Sequence, residues 1–248
     1  MVADFFRAIL YTPLFNLLVF FAWLIPGHSI GWSIIIVTLI VKAILWVPSA
    51  KSIRSPIQMR QYQDEIKELQ DRHKDNKAAQ SQALMAFYKE KGINPLSGCL
   101  PLLIQLPVIF VLYRVFIAGL GDVHFDLVYS FVPHLDAINT HFFGIDLAHP
   151  SKIVLPIIAG GLQFLQSRHM MLLNPPSKTS KDPTAMMQKQ MMYLFPVMTY
   201  FIASSLPAGL ALYWATNALV STAQQEVIRR TYHPTEPKVK VTVRTKNK

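Results

Sequence analysis

The chain has 248 residues, 52% of them hydrophobic and only 15% charged, with a formal net charge of +10. That balance belongs to a chain solvated largely by lipid, so bilayer residence is the first hypothesis. Cys99 is the sole cysteine, which excludes an internal disulfide framework and leaves no second thiolate to complete a cysteine-based metal site.

In chain order, residues 1–30 come first and contain the apolar stretch Ile9–Ile25. It carries Pro13 and Asn16, follows Arg7 and ends at Pro26-Gly27, so two placements stay open: an amphipathic helix in the membrane interface, or an extra span. No polar leader with a small-residue cleavage site precedes it, which argues against an ordinary cleaved signal peptide. Five further blocks approach the ~20 residues needed to cross a ~30 Å hydrocarbon core. They are residues 31–50, 99–120, 151–171, 189–205 and 208–228, each bounded by charge, proline or polar residues.

The polar loop 51–98 is too long for a simple connector. Met59, Tyr62, Ile66 and Leu69 recur at three- and four-residue spacing, the mark of one helical face. A polar break at His73-Lys74-Asp75-Asn76 precedes a second helical stretch with Ala83, Leu84, Phe87 and Tyr88, ending near Gly92 and Asn94-Pro95. A helical hairpin standing off the membrane is expected. Tyr62, Ile66 and Leu69 then either dock a partner or merely pair the two helices. Within loop 172–188 the run Asn174–Pro183 is rich in turn formers and unable to propagate a helix, and the tail 229–248, after His233, has too little apolar content to pack alone.

Lysine and arginine set the orientation. Twenty of the 24 lie in 51–91, around loop 172–188 or in the tail, while Gly121–His149 has none. The loop 121–150 is therefore expected outside, and the C-terminus, loop 51–98 and loop 172–188 in the cytoplasm. The histidines of the outer loop read better as scattered solvated side chains than as a metal site.

Polar residues inside the expected spans are the candidate site. Lys42 is a cation near the middle of a membrane helix, a placement costing at least ~2.5 kcal/mol without water or a partner. It sits too far from Ala50 to snorkel to the headgroups, so a hydrated interior cavity is the better reading. Thr38, Lys42, Trp46 and Ser49 fall at i, i+4, i+8 and i+11 on one face. Comparable polar positions are Gln105, Gln163 and Ser167, then Tyr213, Trp214, Asn217, Ser221 and Gln224. Singly, each is ordinary interhelical glue; together, with no carboxylate deep in a span, they suggest a polar groove.

At Asn94-Pro-Leu-Ser-Gly-Cys-Leu-Pro-Leu-Leu-Ile-Gln-Leu-Pro107 the chain resembles the segment leading into the second core helix of the YidC/Oxa insertases. Trp32–Lys42 is similar to that family's first core helix, with lysine where members often carry arginine, which keeps the charge but loses the bidentate fork. Asp182–Lys189, Phe195-Pro-Val and Leu206–Trp214 resemble its fourth and fifth helices, and the likeness runs from about Phe5 to Arg230.

The resemblance implies an all-α polytopic fold in the bacterial inner membrane. It has a five-helix core, a cytoplasmic hairpin and an interfacial N-terminal helix; some members also carry a large extracytoplasmic domain that the sequence as given lacks, through either a truncated start or a minimal form. It also implies a groove open to cytoplasm and lipid, closed outside, that receives the polar part of a nascent membrane protein while the apolar segment slides into lipid. No catalysis, cofactor, metal or nucleotide is expected, and no P-loop occurs. Partners implied are membrane lipids, the ribosome and the Sec translocase, with Lys240 and Arg244 of the tail attracted to ribosomal RNA. Two other classes remain in competition: a channel or transporter with Lys42 as an anion site, and a scaffold that binds a translocase without inserting anything.

Overall fold

A computed structural model of the chain describes residues 7–92, 94, 100–117, 127–133, 135, 137–173 and 183–232. Cys99, loop 174–182 and the tail with Lys240 and Arg244 lie outside the described residues.

A π-helical turn, Arg7–Tyr11, runs into α1, Thr12–Leu24, where Pro13 fits the first helical turn because its missing N–H is not needed there. Leu14, Phe15, Leu18, Val19 and Ala22 bury one side of α1 in the core. Gly27, at φ +80°, and His28, at φ +52°, turn the chain into α2, Ile30–Ile44. Among the described residues, Arg7–Leu24 is the one unbent helix long and apolar enough to cross a membrane by length and composition.

The continuous helix expected over 31–50 is broken. After α2 the chain bends by 67° into α3, Trp46–Gln61. Pro48 explains the break: its ring would collide with the carbonyl of Ile44, four residues back, and that residue ends α2. The hairpin follows as α4, Gln63–Arg72, and α5, Lys77–Glu90, with the turn on the expected polar break at 73–76. Asn76 caps α5, accepting from the Ala79 N–H at 3.0 Å.

Then come α6, Leu100–Ile117; a small antiparallel hairpin of β1, His141–Phe142, and β2, Ile145–Asp146; α7, Val154–Leu173; α8, Pro183–Ser205; and α9, Ala208–Thr231. Helix α9 is the centre of the fold: it packs on α7 and α2 and buries residues from Ala208 at one end to Ile228 at the other. Glycines let backbones and rings close up. The Phe116 ring of α6 occupies the space a Cβ on Gly209 would need, and Gly160 of α7 faces the Pro196 carbonyl of α8. Both α7 and α9 are 20 residues or longer, but glutamine, histidine, asparagine and arginine side chains reduce their apolar character.

The two ends of the bundle are closed differently. At one end, the β-hairpin stitches two interhelical turns together: Ile30 N–H bonds the Asn139 carbonyl at 3.0 Å, while Ala208 and Gly209 N–H bond the His149 and Leu147 carbonyls at 2.9 Å. Leu147 is fully buried beneath it. At the other end, Ala50, Ile53, Leu173 and Ile228 form a second apolar cluster joining α3, α7 and α9.

Candidate functional site: a polar seam between α2 and α9

Helix periodicity puts Thr38 and Lys42 on one face of α2, with Trp46 and Ser49 continuing it past the bend. The same rule aligns Tyr213, Asn217, Ser221 and Gln224 on α9. Packing brings these two stripes face to face. Lys42 Nζ donates to Ser221 Oγ at 2.7 Å, Ser49 Oγ donates to Gln224 Oε1 at 3.0 Å, and Gln224 Nε2 donates to the Trp46 carbonyl at 3.3 Å. The Lys42 ammonium, which needs water or a partner at this depth, has one in Ser221. That partner is neutral, so the positive charge stays uncompensated by any carboxylate among the described residues.

The helices around this bond carry unsatisfied polar atoms. Asn217 is buried one helical turn from Ser221, and its Oδ1 has no hydrogen-bond partner. Gln105 Nε2 on α6 and Gln166 Oε1 on α7 are also buried without one. The Gln105 side chain meets the buried Tyr213 hydroxyl, which ties α6 to the same column. Orphaned amide atoms of this kind cost ~1–3 kcal/mol each unless water or a ligand reaches them.

Other expected site residues are placed less centrally. Thr38 is buried and spends its hydroxyl on the Ile34 carbonyl at 2.6 Å, within its own helix. The Trp46 ring is well exposed, Trp214 packs at the edge of the apolar core, and Gln163 lies half-buried on α7, outside the hydrogen-bonded seam. A cavity above the seam is lined by Leu14, Val37, Thr38, Val108, Leu112 and Tyr213 among others, and is mostly apolar.

Of the three hairpin residues read as either docking a partner or pairing the two helices, Tyr62 is engaged internally. Its ring packs edge-on against Phe87 at 5.8 Å, with the Lys91 ammonium 5.4 Å from its centre. Ile66 and Leu69 are half-buried on α4.

A second polar cluster escaped the sequence reading. His169 of α7 meets Gln225 Oε1 at 3.2 Å and Glu226 Oε2 at 3.0 Å, and Glu226 also holds Arg229 and Arg230 at 2.6 Å. Glu226 was legible as a carboxylate near a span end, but its partner 57 residues away was not. The first two arginines of the basic tail are thus engaged by a carboxylate.

The chain matches the family model of the 60Kd inner membrane protein over residues 20–236, which spans α2 to α9 and the seam between them. It belongs to that family, the YidC/Oxa family. Curated relatives are called membrane protein insertase YidC. One from Coxiella burnetii (strain Dugway 5J108-111) is 36% identical over 239 residues, which cover 94% of this chain and 38% of the relative. Another, from Francisella tularensis subsp. novicida (strain U112), is 38% identical over 208 residues, or 84% of this chain and 34% of the relative. The chain therefore spans little more than a third of the length of these YidC/Oxa relatives.

Proposed function

We propose that this chain inserts membrane proteins into the bacterial inner membrane, with the α2–α9 seam receiving the polar, often acidic, translocated part of the substrate. The observation that carries the reading is the Lys42–Ser221 bond: a cation held within the bundle by a neutral hydroxyl. A substrate carboxylate is a better acceptor for an ammonium than a serine hydroxyl, because a hydrogen bond between two charged groups is roughly twice as strong. Incoming acid therefore displaces Ser221 and takes Lys42. The orphaned Asn217 Oδ1 and Gln105 Nε2 then offer an acceptor and a donor to the passing polar chain.

Energy for the process comes from moving ~20 apolar substrate residues into hydrocarbon, at about 25 cal/mol per Å² of apolar surface, so no nucleotide or cofactor is required. In this reading the hairpin, the Glu226 cluster and the basic tail face the cytoplasm, the β-hairpin faces outward, and ribosome and Sec translocase are the partners met on the inner side.

The test is insertion of a small single-span substrate by the purified protein alone in liposomes, scored by protease protection without nucleotide. Wild type is expected to insert, and Lys42→Ala to lose about tenfold, the equivalent of one charged hydrogen bond of ~1.5 kcal/mol. Lys42→Glu is expected to lose more with acidic substrates. Absence of insertion by folded wild type would leave the scaffold reading, and ion flux without insertion would favour the channel.

A further inference from the structure

The β-hairpin ends in a two-residue turn, Phe143-Gly144, with φ of +47° and +79°. Such turns require positive φ at both central positions and favour Asn-Gly, because a bulky side chain is strained there. Phenylalanine nevertheless occupies the first position, and it is 83% exposed. Nothing in the fold rewards that ring with burial. Its contacts are edge-on: 4.7 Å between the Phe142 and Phe143 centres, and 6.3 Å from Phe143 to Trp32 of α2.

Trp32 gives the ring a direction. It is 45% exposed and heads a solvent-accessible stripe of α2 that continues through Ile36, 47%-exposed Leu39 and Ala43 at i+4, i+7 and i+11. In an inner membrane protein such an apolar helical stripe faces lipid. Phe142 and Phe143 extend that stripe beyond the end of the helix, with Phe142 lying over Gly31 where a Cβ would stand. Trp23 and Leu24, at the end of α1, are exposed apolar side chains as well. Aromatic side chains at the end of an apolar belt, in a segment free of lysine and arginine from 121 to 149, match the headgroup–acyl boundary of a bilayer.

We infer that the β-hairpin is a lipid anchor: Phe143, with Trp32 and Phe142, seats the tip in the membrane interface on the side of the bundle that α2 presents to lipid. The hairpin also carries the backbone bonds that join the α1–α2 turn to the α8–α9 turn. Seating its tip in lipid therefore holds that end of the bundle shut. The inference needs only membrane residence, not the insertase reading.

The experiment is nitroxide accessibility in liposomes. A single label is introduced by Phe143→Cys in a Cys99→Ser background, with Leu39→Cys as the lipid reference and Lys77→Cys, exposed at the start of α5 beside the turn of the cytoplasmic hairpin, as the aqueous one. Relaxation of the Phe143 label by oxygen is expected to exceed relaxation by a water-soluble nickel chelate, as at Leu39 and opposite to Lys77. Chelate-dominated relaxation at residue 143, with Leu39 still lipid-like, would overturn the anchor and point to a protein partner for this rim. Chelate-dominated relaxation at Leu39 would instead remove the membrane placement of α2. If Phe143→Cys does not fold, Phe143→Trp serves: quenching by lipids brominated high on the acyl chain is expected to exceed that of wild type, and equal quenching would overturn the inference.

Discussion

The two ends of α9 hold the bundle together by different chemistry. Near Ala208 and Gly209, main-chain N–H groups bond the carbonyls of the β-hairpin loop, and the tip of the Phe116 ring fills the space beside a glycine. Near Ser221 and Gln224, side chains alone make the bonds, to Lys42, Ser49 and the Trp46 carbonyl. Main-chain bonds and ring-on-glycine contacts have no substitute partner and open only with the fold. Side-chain bonds to neutral groups can be exchanged for a stronger acceptor. The difference marks the hairpin end as a fixed closure and the seam as the part able to yield.

If so, the largest damage should come from the fixed end. Gly209→Val puts a branched side chain into the space of the Phe116 ring, and overpacking of this kind costs about 1–3 kcal/mol or more. Thermal unfolding in detergent should fall by several degrees. Next is Asn16, buried in α1, whose amide donates to the Leu127 carbonyl at 2.8 Å and accepts from the Tyr129 N–H at 2.7 Å. Asn16→Ala strands both main-chain groups at ~1–3 kcal/mol, and amide exchange at Tyr129 and Val132 should accelerate.

The seam should tolerate more. Ser221→Ala removes one acceptor, and a net cost of about 1 kcal/mol or less is expected, with insertion of acidic substrates retained or improved because Lys42 no longer has to be displaced. A drop in stability as large as that of Gly209→Val would erase the contrast between the ends. The smallest effect concerns Asp146. Burial raises its pKa, but hydrogen bonds from His149, Thr140 and the Ala148 N–H outweigh this and hold it down to about 2. Because the folded value lies below the unfolded one, the carboxylate's contribution is complete above about 4 and is lost as pH falls toward 2. Protection of the Ala148 amide, its exchange rate relative to an unstructured peptide at the same pH, should fall across that interval and stay flat above it.

What could be read without coordinates was whatever repeats along one helix. Thr38, Lys42, Trp46 and Ser49, and the Asn217, Ser221 and Gln224 stripe, follow from spacing alone, as does the turn at 73–76 from its run of polar residues. What each stripe faces depends on the rotation of α2 against α9, and no local pattern encodes that. The bend at Leu45 had a visible cause in Pro48, but a proline two residues from an expected span end reads equally as a terminus. Asn16 looked like a blemish in an apolar helix because its partners, Leu127 and Tyr129, lie more than a hundred residues away. His169 and Glu226 were invisible as a pair for the same reason. Phe143 gave no warning, since only backbone angles reveal a phenylalanine where asparagine would sit more easily.

The most direct test of the seam is a charge exchange. Lys42→Glu is reconstituted in liposomes, and insertion is compared for a substrate with an acidic translocated segment and for the same substrate with those acids replaced by lysine. The account predicts a crossed pattern: wild type favours the acidic form, and Lys42→Glu fails with it but regains insertion with the basic one. If both proteins treat the two substrates alike, Lys42 does not read substrate charge and the seam is only structural.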